Sequence, residues 1–253
     1  MRRGRGFTLI ELLVVVAIIA LLIAILLPSL GRARQRAKIT KCLASVRGIS
    51  QALTMYMSDY QVAFPYYSNG SSYWTQILTS YGGSEKARQC PEALGPNPAT
   101  GASAQGSASL PWANWGLNNA DTGAFGVNGW VYQGGDQTLL THYAIDTNTP
   151  TGSPGVFWRM PFSRNASQIP LVGDASWPDG WPLADNAVPA DVQMEMDGVG
   201  STNSNMMRRW CIRRHGKSVN MGFVDAHAEN VKLQDLWSFS WHAAWTPSVK
   251  VVP

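Results

Sequence analysis

Phe7-Thr-Leu-Ile-Glu-Leu-Leu-Val-Val-Val-Ala-Ile-Ile-Ala-Leu-Leu-Ile-Ala-Ile-Leu-Leu27 is an apolar run of 21 residues that carries one charge, Glu11, and stops at Pro28. At about 1.5 Å per residue, a helix of that length spans about 30 Å, the thickness of a bilayer's hydrocarbon core. No Gly or Pro interrupts it, so the run predicts a membrane-spanning helix.

The flanks set its character. Arg2, Arg3 and Arg5 precede it, which holds the N-terminus in the cytoplasm. A secretory signal peptide has a shorter apolar run followed by a small-x-small cleavage site. Here the run ends Leu26-Leu27-Pro28-Ser29-Leu30, and the small residue lies before it, at Gly6. Gly6-Phe7-Thr8-Leu9-Ile10-Glu11 followed by about 20 apolar residues closely resembles the class III leader of type IV prepilins and type II secretion pseudopilins. The resemblance implies cleavage after Gly6 by a prepilin peptidase, N-methylation of the new terminus Phe7, and retention of the helix. A carboxylate in lipid costs roughly 2.5–3.5 kcal/mol on insertion scales, so Glu11 needs a purpose. The resemblance implies an assembly role, in which Glu11 pairs with the α-amine of a neighbouring subunit. The bland reading is a carboxylate at headgroup level.

Of the 253 residues, 45% are hydrophobic and 14% charged, and the formal net charge is +4. Residues 1–50 hold nine Lys/Arg and one acid, and residues 51–253 hold 11 against 15. The basic balance therefore belongs to the N-terminal segment and does not point to a nucleic-acid-binding domain, so no nucleic-acid partner is expected. Arg32, Arg34, Arg36, Lys38 and Lys41 cluster beyond Pro28, against the positive-inside tendency; contact with headgroups or acidic neighbours and a solvated face are the two readings of that cluster. The leader decides the outward orientation.

Pro28, with Gly31 beyond it, predicts a kink or local melt. Ile39, Leu43, Val46, Ile49, Leu53, Tyr56, Met57 and Tyr60 then recur every three or four residues, an amphipathic stripe that should pack on a sheet. The segments expected are a leader over 1–6, a transmembrane helix over 7–29, an amphipathic continuation over 30–62 and an extracytoplasmic globular domain over 63–253. The Cys42-Leu-x-x-Val46-Arg-x-Ile49 pattern, Phe64-Pro65 and Cys90-Pro91 are similar to one bacterial subset of these proteins. Tyr73–Leu78 reads as a short helix or strand, 93–110 as a loop, and 111–135 as irregular structure pinned by tryptophans. Tyr143–Asp146 and Val156–Met160 are candidate strands, and Ile169–Asp174 is a stronger one. Val219, Met221 and Phe223 alternate as a half-buried strand that turns at Asp225-Ala226-His227 and returns over Ala228–Val231.

His215 and Asp225 enclose nine residues, which resembles a His-x9-Asp-Gly box with Ala226 in place of the glycine. A turn needing positive φ would be strained by alanine there. His215 and Asp225 could form a catalytic or metal pair; hydrogen bonding that staples a hairpin is the favoured reading. No zinc spacing such as Cys-x2-Cys or His-x3-His occurs, and no nucleophile elbow or phosphate loop. Calcium is the cofactor worth naming, with Asp174, Asp179 and Asp197 among loop aspartates that also include Asp185 and Asp191; solvated turn aspartates are the plainer reading. Cys42, Cys90 and Cys211 allow at most one internal disulfide, with no partners assigned by sequence. Trp177, Trp181, Trp237, Trp241 and Trp245 are read as anchors of core and loops before a carbohydrate or partner surface.

The expected fold is therefore α+β and pilin-like: a long N-terminal helix on a small antiparallel sheet with long loops. The expected function is structural, as a pilus-like or pseudopilus filament subunit of the bacterial inner membrane. Its partners would be the prepilin peptidase, other subunits and an assembly platform. The alternatives are a membrane-tethered binding or enzymatic domain that shares only the leader, and a minor tip subunit.

Overall fold

The computed structural model describes residues 8–68, 71–83, 85–95, 105–115, 121–133, 157–158, 165–189 and 205–252. Helix α1 runs Leu9–Tyr60, followed by β1 (Tyr67–Ser68), β2 (Ser71–Ser72) and α2 (Tyr73–Ser80). Then come β3 (Trp112–Trp115), β4 (Asp121–Gly123), β5 (Phe125–Asn128), β6 (Pro170–Asp174), β7 (Asp179–Gly180), β8 (Ser218–Phe223) and β9 (Ala228–Lys232). The central sheet has the order β7-β5-β6-β8-β9 and is antiparallel except for β7, which adds parallel to β5. The hairpins β1-β2 and β3-β4 stand outside it. The architecture is the expected α+β one, a long N-terminal helix with small antiparallel sheets.

The chain divides into two compact units, Met1–Thr40 and Lys41–Pro253. In the first, α1 continues through Pro28 and Gly31, so the expected local melt does not occur. Pro28 removes one N–H from the ladder, and the adjacent Ser29 hydroxyl donates back to Leu26 O at 2.8 Å. Every residue from Thr8 to Lys38 is exposed, including Leu9, Ile10, Ile25, Leu26 and Leu27.

In the second unit, the packed stripe of α1 is Cys42, Val46, Ile49, Leu53 and Met57, with Ser50 and Ala52 beside it. Val46, Ile49, Leu53 and Met57 are buried as expected, while Leu43 and Tyr56 are half-buried, Tyr60 is exposed, and Cys42 opens the buried face. The helix crosses β8 at Gly222, where an added Cβ would lie 1.9 Å from Ser50 Oγ. That close approach explains why β8 is buried on both faces from Val219 to Phe223 instead of half-buried.

Strand β6 is buried throughout, as its apolar run implies. Trp112–Trp115, Asp121–Gly123 and Phe125–Asn128 form strands where irregular structure was expected. Gly and Asn hide the period there, because packing is set by the tryptophans. Trp112 Nε1 donates to Phe125 O at 2.9 Å, and Trp130 Nε1 to Pro182 O at 2.8 Å. Trp237 likewise donates its indole N–H to Asn186 O, and Trp241 and Trp245 donate theirs to Leu236 O and Trp237 O in the 3-10 helix Leu233–Ser238. Each ring fills core volume while satisfying a carbonyl that no ladder reaches. Trp181, Trp237, Trp241 and Trp245 are buried, which is the anchoring role; half-buried Trp177 lies beneath the Arg209 guanidinium at 5.7 Å. The segments 143–146, 159–160 and 96–104 lie outside the described residues.

The β8-β9 hairpin turns where the alternation placed it, with register Gly222↔Ala228. Ala226 adopts φ 67°, a conformation in which a Cβ costs roughly 1–2 kcal/mol. Ala226→Gly removes that strain but gives back about 0.5–1 kcal/mol of unfolded-chain entropy. A net gain of about 0.5–1 kcal/mol is expected, a rise in melting temperature of roughly 1–4 °C. A midpoint lowered in thermal denaturation, as the entropy loss alone would make it, would show that the turn carries no strain.

Candidate functional site

Two places collect functional side chains: the start of α1 and a polar pocket under its packed half. At the start, Thr8 and Glu11 form a capping box. Glu11 Oε2 accepts from Thr8 N at 2.8 Å and Thr8 Oγ1 at 2.9 Å, and Thr8 Oγ1 accepts from Glu11 N at 3.3 Å. The acid of the apolar run is thus held at the helix N-terminus, where it also meets the positive end of the macrodipole. Gly6 and Phe7 lie outside the described residues.

The pocket is assembled from four elements of the second unit. Cys42 comes from α1, Cys90 from the loop after a 3-10 turn at Glu85–Arg88, Asp174 from the end of β6, and His215 from the turn before β8. All four are buried, and one ligand atom from each lies within 4.8 Å of the other three. Cys42 Sγ is 3.5 Å from Asp174 Oδ1, Cys90 Sγ is 3.6 Å from His215 Nε2, and His215 Nε2 is 3.2 Å from Asp174 Oδ2. The Asn220 N–H donates to Asp174 Oδ2 at 2.7 Å.

Arg214 supplies the counter-charge. Its Nη1 lies 3.2 Å from Asp174 Oδ1, both side chains fully buried. The rest of the fork donates to backbone: Nη1 to Ala124 O, Nη2 to Ser107 O at 2.7 Å and Ala175 O at 3.2 Å, Nε to Ala108 O at 3.3 Å. Burial alone would raise the Asp174 carboxyl, but the His215 hydrogen bond and the Arg214 charge outweigh it and hold it below the ordinary range. Burial opposes charge on His215 as well, yet its hydrogen bonds to Asp174 and Cys90 lift it to about 9. Burial pushes the Cys42 thiol up, whereas hydrogen bonds from Cys42 and then His215 draw Cys90 down.

The residues singled out by spacing are therefore regrouped. His215 does not bond Asp225. It belongs to the pocket, and Asp225 accepts from the His227 backbone N–H at 3.2 Å and pairs with the His227 ring, shaping its own turn. Among the calcium candidates, Asp174 faces Arg214, and Asp179 is buried with Arg209 Nη1 at 3.4 Å; burial pushes the Asp179 carboxyl up to about 7 despite that cation. Asp197 lies outside the described residues. His242 is buried between Trp130 and Trp245, each at 5.2 Å, and burial lowers it to about 4. Cys211 is buried outside the pocket, its thiol pushed up to about 12 by burial. The pocket escaped spacing arguments because each ligand comes from a different element. Its visible traces are the cysteine of the helix pattern and the Cys90-Pro91 step.

The prokaryotic N-terminal methylation motif matches residues 1–27. The type IV wide pilus major component PilA4 of Thermus thermophilus is 49% identical over 59 residues, which is 23% of this chain and 45% of that protein. The type II secretion system core protein G of Pseudomonas aeruginosa is 39% identical over 64 residues, 25% of this chain and 44% of that protein. The chain thus spans less than half the length of these curated relatives. No solved structure matches. The N-terminal segment over residues 1–27, which holds the capping box and the apolar run, is pilin-like.

Proposed function

We propose that this chain is a structural, non-enzymatic subunit of a type IV pilus-like or type II secretion pseudopilus filament. A prepilin peptidase cuts after Gly6 and Phe7 is N-methylated. The subunit waits in the bacterial inner membrane as a single-pass protein with its globular unit outside the cytoplasm. An assembly platform then draws it into a filament with other subunits.

The observation that carries this reading is the bare first half of α1. From Thr8 to Lys38 the helix buries nothing against its own chain, although its apolar residues would expose a large surface to water. It is long and apolar enough to cross a membrane, with a mean hydropathy of 3.3 in its most apolar window. Lipid covers such a surface before assembly, and copies of the same helix cover it afterwards. The methylation motif lies on that segment, and each relative aligns over about a quarter of this chain.

Intact-mass and N-terminal peptide analysis of the protein from its native membrane is the direct test. The expected product begins at Phe7 and carries one added methyl group. Material that begins at Met1, or that is severed beyond Pro28 and released, would remove the basis of the proposal.

A further inference from the structure

We propose that Cys42, Cys90, Asp174 and His215 form a structural zinc site that clamps the packed half of α1 to the sheet. Neither the motif over residues 1–27 nor the filament role calls for this site, so it stands apart from the proposed function.

Donor chemistry comes first. Two thiolates, an imidazole and a carboxylate are ligands that Zn²⁺ accepts in a four-coordinate structural site. Zinc–ligand bonds of about 2.0–2.3 Å in a tetrahedron place the ligand atoms roughly 3.3–3.8 Å apart. The pocket has Sγ to carboxylate at 3.5 Å, Sγ to Nε2 at 3.6 Å and Nε2 to carboxylate at 3.2 Å. Three of the six ligand-to-ligand separations are thus near tetrahedral values, reached through both oxygens of the carboxylate, and the widest, up to 4.8 Å, closes by about 1 Å when the ion binds.

Charge comes second. Two thiolates and a carboxylate carry three negative charges in a place without solvent. The Arg214 guanidinium and a dication carry three positive ones, so the loaded cluster is neutral. Arg214 is fully buried and tied to four backbone carbonyls, which holds its charge beside Asp174 rather than between the other ligands. Asn220 N–H orients the same carboxylate at 2.7 Å, the outer-shell support that metal ligands need.

Topology comes third. The four ligands come from α1, the loop after Glu85–Arg88, β6 and the turn before β8. One ion therefore cross-links four segments distant in sequence within a loop-rich unit. This is the arrangement in which metal binding contributes most to folding.

The main rival is a Cys42–Cys90 disulfide, which an extracytoplasmic compartment permits. The test uses the full chain purified in detergent, with metal content measured by mass spectrometry and thiols counted. About one zinc per chain is expected, with both pocket thiols unoxidised. After chelation under reducing conditions, Co²⁺ should reload the wild-type chain and produce thiolate-to-cobalt charge-transfer absorption. Zinc removal should lower the melting temperature, and added zinc should restore it. Cys90→Ser and His215→Ala should each weaken zinc binding by at least roughly 10–100-fold, while Cys211→Ser leaves it unchanged. Three results overturn the proposal: a Cys42–Cys90 bridge in the native protein, no cobalt–thiolate absorption from the reduced wild-type chain, or zinc content in a folded Cys90→Ser variant equal to wild type. The wild-type cobalt and chelation measurements decide the matter even if a variant fails to fold.

Discussion

Arg214→Met is expected to destabilise the globular unit by about 3–5 kcal/mol, the usual effect of stranding one member of a buried ion pair. That loss is comparable to the whole stability of many domains, about 5–15 kcal/mol. The cause is specific. Asp174 keeps a carboxylate with no access to water, and the carbonyls of Ser107, Ala108, Ala124 and Ala175 lose their donor together. Methionine fills much of the volume, so the loss reflects charge and hydrogen bonding more than a cavity. Arg214→Lys should recover little, since one ammonium cannot reach acceptors spread around a planar fork. The informative partner is Asp174→Asn. If the stranded charge dominates, the double variant is more stable than Arg214→Met alone, a coupling of about 1–3 kcal/mol on a double-mutant cycle. Denaturant midpoints on the full chain in detergent measure all four corners. A cost for Arg214→Met below about 1 kcal/mol would mean that Asp174 is not held as an anion by Arg214.

Which parts were legible beforehand follows from the range of the forces involved. The apolar run needs only its neighbours to be recognised, so a helix long and apolar enough to cross a membrane is legible over 7–29 from composition alone, and the observed helix starts at Leu9. The hairpin of β8 and β9 is also local, since Val219, Met221 and Phe223 alternate and the turn residues follow at once. The phase of the α1 stripe was less legible. Apolarity pointed to Leu43, but the buried face begins at Cys42, which meets a polar pocket that residues 90, 174 and 215 complete. Strands β3 to β5 were hidden for a related reason. Trp112 and Phe125 hold each other through an indole-to-carbonyl bond across 13 positions, and β7 has only two residues, too few to show a period. His215 was noticed through its spacing to Asp225 and joined to the wrong carboxylate. Its actual partner lies one strand away in the sheet, on β6, and no window of sequence contains both.

Glu11→Gln is expected to leave processing intact and to reduce filament yield by about two orders of magnitude. Without a neighbour, the Glu11 carboxylate is satisfied within its own chain by the backbone and hydroxyl of Thr8. In the proposed filament, a neighbour's α-amine at Phe7 enters the same apolar layer and needs a counter-charge. Glutamine keeps the size and can still accept from Thr8, so the cap is largely preserved, but it cannot neutralise an ammonium. An unpaired charge in that layer costs roughly 2.5–3.5 kcal/mol on insertion scales, and each 1.4 kcal/mol is about tenfold in association. Thr8→Ala separates pairing from capping. It removes one of the two donors to Glu11 and leaves the charge, so it should weaken the first turn by only about 0.5–2 kcal/mol and spare most assembly. The two variants are compared by mass analysis of the mature terminus and by the amount of sheared filament per cell. Equal losses in both would make Glu11 a helix cap and nothing more. Wild-type yield in Glu11→Gln would show that subunits align without this charge, leaving the apolar faces of α1 to set the register unaided.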